Sequence, residues 1–277
     1  MNRGTFACES ARSRFLTASS LRLHCLEWGS PEKPGLLLLH GGAAHAHWFD
    51  SVAAAFADRF HVVALDQRGH GQSQWPQPPA YQTQDFAEDL TGVMDALGWS
   101  QMTLIGHSMG GHNATCFAAW HPARVKRLVI ADSRPAVPAE HLSAMHRRGS
   151  RPLSRHASLE AALARFRLIP PETIAGPDLL AHLARAGIIE RDGRWAYRFD
   201  PACDGTRRPA DAWPLLSKIQ CPTLIVRGEK STILTRRTGE AMAGKIPGAA
   251  LAEIPGVYHH VILDAPAAFL ALVDRFL

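Results

Sequence analysis

Apolar residues along the chain collect in short runs, separated by longer stretches in which apolar and polar positions recur at helical spacing. The runs are Leu21 to Trp28 (LRLHCLEW), Gly35 to His40 (GLLLLH), His61 to Asp66 (HVVALD), Met102 to His107 (MTLIGH), Val125 to Asp132 (VKRLVIAD), Pro222 to Gly228 (PTLIVRG) and, less sharply bounded, Ala250 to Pro255 (ALAEIP). Runs such as LLLL and LVIA are apolar on both faces, which is the pattern of strands covered by helices on either side of a sheet. The stretches between them predict helices over Trp48 to Phe56, Gln84 to Leu97, Met109 to Trp120, Arg236 to Lys245 and Ala265 to Phe276. Strand–helix alternation of this kind predicts an α/β fold with a doubly wound, mostly parallel sheet.

The rhythm stops between Ser133 and about Ala212. That stretch holds helix-like pieces (Leu159 to Phe166, Leu179 to Ala186) and no clear buried strand, and proline or glycine interrupts it repeatedly, from Pro135 to Gly193. It reads as a helical lid, residues 133–212, inserted into a core formed by residues 1–132 and 213–277. Its apolar and aromatic residues (Leu142, Met145, Phe166, Leu168, Trp195, Tyr197, Phe199) serve either a partly hydrophobic, medium-sized substrate or the lid's own core. No internal repeat or low-complexity tract is evident.

Length and composition fit one large domain, or one domain with an insertion: 277 residues, 46% hydrophobic and 20% charged. The net charge of +5 has no nucleic-acid-binding motif around it. The densest basic run, Arg147, Arg148, Arg151 and Arg155, reads as a solvated face of the insertion, with attraction of anionic substrates or surfaces as the alternative. Five cysteines (Cys8, Cys25, Cys116, Cys203, Cys221) are an odd number without C-x-x-C spacing, so free buried thiols are expected rather than disulfides or a zinc site. The N-terminal MNRGTFACESARSRF lacks the apolar stretch of a signal peptide, and no run is long enough to span a membrane. A cytoplasmic protein with a small-molecule substrate follows, with homo-oligomerisation left open.

Four segments carry candidate chemistry. Gly106-His107-Ser108-Met109-Gly110 matches G-x-S-x-G between an apolar strand and a helix, where the glycines allow a strained turn that lifts the serine oxygen above the sheet. The helix after it directs N–H groups and the positive end of its dipole at the same place. His40-Gly41-Gly42 ends a strand in a loop with exposed N–H groups. Gly42, with Met109 after the serine, is assigned as the donor pair for a tetrahedral oxyanion. Asp66 to Ser73 (DQRGHGQS) reads as a turn tied by charge-assisted bonds, with a structural role. Tyr258-His259-His260 follows the last strand and offers two histidines as the base for Ser108. His40, His45 and His47 match no metal pattern and read as lining an entry loop; no metal and no cofactor are expected.

Taken in order, LLLHGG, DQRGHGQS, GHSMGG, PTLIVRG and PGVYHH resemble the α/β-hydrolase superfamily. The resemblance implies the α/β-hydrolase fold with a helical lid after the sixth strand, Ser108 as nucleophile, His259 rather than His260 as base, and Gly42 as an oxyanion donor. A serine nucleophile implies acyl transfer and excludes the haloalkane dehalogenase and epoxide hydrolase branches, which use aspartate. Relatives carry the triad acid a few residues after the strand matching PTLIVRG, but here Ser231 and Thr232 stand in that place and cannot hold the charge. Asp132, at the end of VKRLVIAD, is the preferred substitute, as in some members of the superfamily; Glu229 and no acid at all are the alternatives. Tyr258 replaces a common glycine. The implied function is a serine carboxylesterase or lactonase. Carbon–carbon bond hydrolysis or perhydrolysis on the same triad is one alternative. A non-catalytic ligand-binding protein that kept the pocket is another.

Overall fold

The computed structural model describes residues 11–277, so Cys8 and most of the N-terminal segment considered above lie outside the described residues. Strands numbered in chain order are β1 (Arg12–Ala18), β2 (Leu21–Trp28), β3 (Gly35–Leu39), β4 (His61–Leu65), β5 (Met102–His107), β6 (Val125–Ala131), β7 (Arg155–His156), β8 (Ile188–Arg191), β9 (Arg194–Tyr197), β10 (Thr223–Gly228) and β11 (Ala250–Ile254). Eight of them form one sheet in the order β1-β2-β4-β3-β5-β6-β10-β11. From β4 to β11 every pairing is parallel, and β2 joins β4 antiparallel.

The predicted runs become strands because both of their faces are covered. In β3, Leu37 and Leu39 face one apolar cluster while Leu36 and Leu38 face the other. The first cluster is closed by helices α1 (Thr83–Leu97), α2 (Met109–Trp120) and, further along the chain, Arg236–Lys245. The second is closed by the segment after β3 and by the C-terminal helix Pro266–Phe276. The helix expected over Trp48 to Phe56 is two 3-10 turns, Ala46–Phe49 and Ala53–Phe56. Trp48, Phe49, Val52 and Phe56 are all buried, and the three-residue period aligns such positions on one side of a short connection. β1 gives no apolar run because it is an edge strand with only Leu16 and Ala18 buried. Its Arg12 and Arg14 side chains pair with buried Glu27 of β2.

The inserted segment 133–212 carries helices α3 (Ala139–Gly149), α4 (Leu159–Arg165), α5 (Pro177–Ala186) and α6 (Pro201–Thr206). It is not wholly helical: β7, β9 and β8 form a small antiparallel sheet. The β8–β9 hairpin turns at Asp192-Gly193, whose φ values of 52° and 69° suit an Asp-Gly turn matched to the twist of its strands. The segment leaves and returns at one place, where Ala212 N–H donates to Pro135 O at 2.9 Å. Leu168, Leu179 and Leu183 of the segment pack on Ala44, Trp48 and Leu263 of the core, while Phe199 and Cys203 pack beside Tyr81 and Phe86. Of the residues offered as substrate contacts or lid core, Leu168 therefore belongs to packing. The remaining helices are α7 (Arg236–Lys245), α8 (Val261–Asp264) and α9 (Pro266–Phe276). Among the described residues no helix is long and apolar enough to cross a membrane.

Candidate active site

Parallel pairing brings the C-terminal ends of β3, β5, β6 and β10 to one edge of the sheet. Leu39 lies opposite Gly106, His107 opposite Ala131, and Ala131 opposite Val226. The residues that follow these strands therefore meet, and they include Ser108, Asp132 and the loop after His40.

Ser108 sits between β5 and α2 with φ 51° and ψ −116°, a conformation that strains any residue with a side chain. The surroundings impose it. Ser108 N–H donates to Ala131 O at 3.0 Å, Gly110 N–H to His40 O at 3.1 Å, and His112 N–H to Ser108 O at 3.0 Å. Only glycine fits at 106 and 110: a Cβ on Gly106 would strike the Gly110 carbonyl, and one on Gly110 would lie 2.6 Å from His40 O. Gly41 is nearly as confined, 3.1 Å from His107 Nδ1, whereas a Cβ on Gly42 would meet nothing within 4 Å. Among the described residues no acceptor engages the N–H of Gly42 or Met109. Both residues line a cavity of about 300 Å³ together with Ser108 and His259.

His259 lies in the loop between β11 and α8. Its Nδ1 is 2.8 Å from Asp132 Oδ1. Asp132 is fully buried, with φ 43°, and its N–H donates to Val226 O at 2.7 Å. Gly228 N–H donates to Asp132 Oδ2 at 2.8 Å, and Ser231 Oγ donates to Oδ1 at 2.6 Å. The hydroxyl that occupies the expected place of an acid thus supports an acid from the neighbouring strand. Glu229 is exposed, and its Oε2 accepts from Gly256 N–H at 2.6 Å, so it is bound elsewhere. His260 turns the other way: its Nε2 is 2.7 Å from Pro170 O of the inserted segment.

Burial pushes the Asp132 carboxyl up to about 7, against the Ser231 and Gly228 hydrogen bonds that favour the anion. Burial also holds the His259 imidazole well below its usual range, with the charges of His260 and Arg134 acting in the same direction. A carboxylate only accepts, so the Nδ1 facing it carries the proton and Nε2 is left as the basic nitrogen. Such an imidazole can take a proton from a hydroxyl in the same cavity.

His107 is a positioning residue that sequence reasoning missed. It is buried, its Nε2 donates to His259 O at 3.0 Å, and its ring stacks on Trp48 with centroids 6.0 Å apart. Its place inside the G-x-S-x-G motif was the available signal. His40, His45 and His47 do not line the cavity, which corrects the entry-loop reading. His40 accepts from Gln67 N–H at 3.0 Å, His45 contacts Leu183 O at 3.0 Å, and His47 is 2.9 Å from Asp50. They hold the loop from beneath. The DQRGHGQS turn has the structural role expected: Asp66 accepts from Ala46 N–H at 2.6 Å and meets His24 Nδ1 at 2.7 Å, while Arg68 clasps Asp89 at 2.6 and 2.7 Å. Tyr258 lies outside the cavity lining, with Lys230 Nζ 5.3 Å from its ring.

Comparison with known proteins places the chain in a family. The family model described as the alpha/beta hydrolase fold matches residues 34–266. The 2-(acetamidomethylene)succinate hydrolase of Mesorhizobium japonicum is 30% identical over 272 residues, covering 96% of this chain and 95% of its own. The 3-oxoadipate enol-lactonase 2 of Acinetobacter baylyi is 25% identical over 264 residues, 94% of each chain. The crystal structure of an E-2-(acetamidomethylene)succinate hydrolase superposes with a TM-score of 0.85 at 27% identity, over 96% of this chain and 98% of that one. The chain belongs to the α/β-hydrolase fold family and is a hydrolase.

Proposed function

We propose that the protein is a serine hydrolase that cleaves an ester or lactone through an acyl-enzyme, with Ser108, His259 and Asp132 as its triad. His259 Nε2 takes the proton of Ser108 as the oxygen attacks the carbonyl carbon. The N–H groups of Gly42 and Met109 receive the oxyanion. His259 then protonates the leaving alkoxide, and a water deprotonated by the same nitrogen releases the acid. Asp132 holds the Nδ1–H tautomer and stabilises the imidazolium formed midway.

The observation that carries this reading is the 2.8 Å contact between Asp132 and His259 beside a strained serine in one cavity. It supports the catalytic reading over a non-catalytic binding protein, whose support was the lack of an acid after β10. The full-length likeness to an enol-lactonase supports ester-type chemistry. Segment 133–212 is read as the lid, since it supplies Val137, His141, Met145 and Ile169 to the cavity. The buried free thiols of Cys25, Cys116, Cys203 and Cys221, the cysteines among the described residues, fit a reducing, cytoplasmic setting.

The test is hydrolysis of a 4-nitrophenyl ester series, together with labelling by a fluorophosphonate probe. Wild type should hydrolyse and label, and Ser108→Ala should lose both, with kcat down by about 10⁴-fold or more. A wild type that neither hydrolyses an ester nor labels contradicts the proposal.

A further inference from the structure

The cavity at Ser108 carries more positive charge than its own acids neutralise. Three arginines line it, Arg134, Arg148 and Arg207, against one carboxylate, Asp204. Arg148 already takes that carboxylate, with Nε at 2.7 Å and Nη2 at 2.6 Å from Asp204 Oδ2. Arg207, which feels Asp204 and the Cys203 thiol at longer range, and Arg134, which feels Asp132 and Glu140, make no ion pair of their own among the described residues.

Arg207 follows α6 and is only 3% exposed. Its Nη2 donates to the neutral Asn113 Oδ1 at 3.0 Å, and its guanidinium carbon lies 4.9 Å from the centre of the Phe86 ring. The Asn113 contact continues to Gln67 at 2.8 Å and from there to the His40 carbonyl at 2.7 Å, so Nη2 has a structural use in tying α6 to the core. Nη1 has none: it is buried and has no acceptor among the described residues. Arg134 comes two residues after Asp132 and is half-buried. The nearby Asp132 is committed to His259, Glu140 attracts Arg134 without pairing with it, and Arg134 makes no ion pair among the described residues. A buried guanidinium N–H without an acceptor is costly and is normally paired. The planar fork of arginine suits a carboxylate, which would fill its open donors.

We propose that Arg207 and Arg134 form an anion subsite, and that the substrate carries a carboxylate apart from its scissile group. The apolar walls given by Val137, Met145 and Ile169 face the short carbon skeleton between the two ends. A cavity of about 300 Å³ fits a small acid of this kind. The carboxylate stays intact through the reaction and serves only to anchor. The nature of the bond cleaved rests on the serine-hydrolase reading; the anion subsite does not.

The test has a binding arm and a kinetic arm, both on the full chain. Glutarate and uncharged glutaramide are titrated by calorimetry, and kcat/KM is measured for mono-4-nitrophenyl glutarate against 4-nitrophenyl butyrate. Glutarate should bind at least about tenfold more tightly than the amide, and the charged ester should be preferred by a similar factor. Arg134→Gln and Arg207→Met should each reduce that preference about tenfold, chiefly through KM, and Arg207→Lys should recover part of it. Should Arg207→Met fail to fold, Arg134→Gln carries the test, since Arg134 has no ion pair to lose. Equal binding of glutarate and glutaramide, or a preference that Arg134→Gln leaves intact, overturns the subsite. A protein that cleaves the neutral ester but ignores charge retires the subsite and keeps the hydrolase. One that binds glutarate through Arg134 yet cleaves neither ester keeps the subsite and retires the serine mechanism.

Discussion

Ser231 offers a sharp prediction because its hydroxyl bonds Asp132 directly, while also accepting from the N–H groups of Ile233 at 3.1 Å and Leu234 at 3.4 Å in its own loop. Its hydroxyl donates at 2.6 Å to Oδ1, the same oxygen that faces His259 Nδ1 at 2.8 Å. Both groups are buried, so water cannot replace the bond at low cost. A hydrogen bond to a charged acceptor contributes about 1.5–3 kcal/mol. At 1.36 kcal/mol per pKa unit, Ser231→Ala should raise the Asp132 carboxyl by about one to two units. Burial already pushes that carboxyl up to about 7, so the variant would titrate above neutrality. The sign follows: the working form is the carboxylate, a higher pKa leaves less of it at a given pH, and activity is lost as pH falls through a higher value. The acid limb of kcat/KM should therefore move up by about one unit or more, and belongs to the coupled Asp132–His259 pair. The assay is ester hydrolysis from about pH 5 to about pH 9. Activity at neutral pH should fall several-fold or more and return toward the wild-type plateau on the alkaline side. An unshifted limb, or a loss that is the same at every pH, would refute the reasoning.

Two further predictions concern what holds the site in place. Gly110→Ala should lower stability by about 1–3 kcal/mol in a denaturant titration, since its Cβ would press on the Leu39 and His40 carbonyls; Gly42→Ala, with open space around it, should melt with wild type. Asp89→Ala should cost about 3–5 kcal/mol in the same titration, because it leaves the buried Arg68 guanidinium without its two-pronged partner, and a loss under about 1 kcal/mol would contradict that role.

The sheet was legible because its inner strands are apolar on both faces, and the elbow was legible because strand, glycines and helix occur together around Ser108. β1 was not, since an edge strand with two buried residues leaves no run to detect. The hairpin in the inserted segment had a signal, Asp192-Gly193 between IIER and RWAY, but the strands around it are only four residues each. Sequence alone ranks Asp132 ahead of Glu229 without showing that it can reach the histidine. Whether it does depends on β6 and β10 being neighbours in a register that sets Ala131 against Val226, and only then does Asp132 come within reach of Gly228, Ser231 and His259. The two histidines posed the same problem. α8 begins at Val261, and the chain entering it sends His260 to the Pro170 carbonyl and leaves His259 on Asp132.

The central claim is that the acid of this site comes from the end of β6 rather than from the loop after β10. The most direct measurement is kcat for ester hydrolysis by Asp132→Asn beside Glu229→Gln, each checked by melting temperature. The account predicts a loss of about 10⁴-fold for Asp132→Asn, from a wrong histidine tautomer in an intact fold, and a change within about threefold for Glu229→Gln. A folded Asp132→Asn that keeps near wild-type kcat, or a Glu229→Gln that loses it, would contradict the claim.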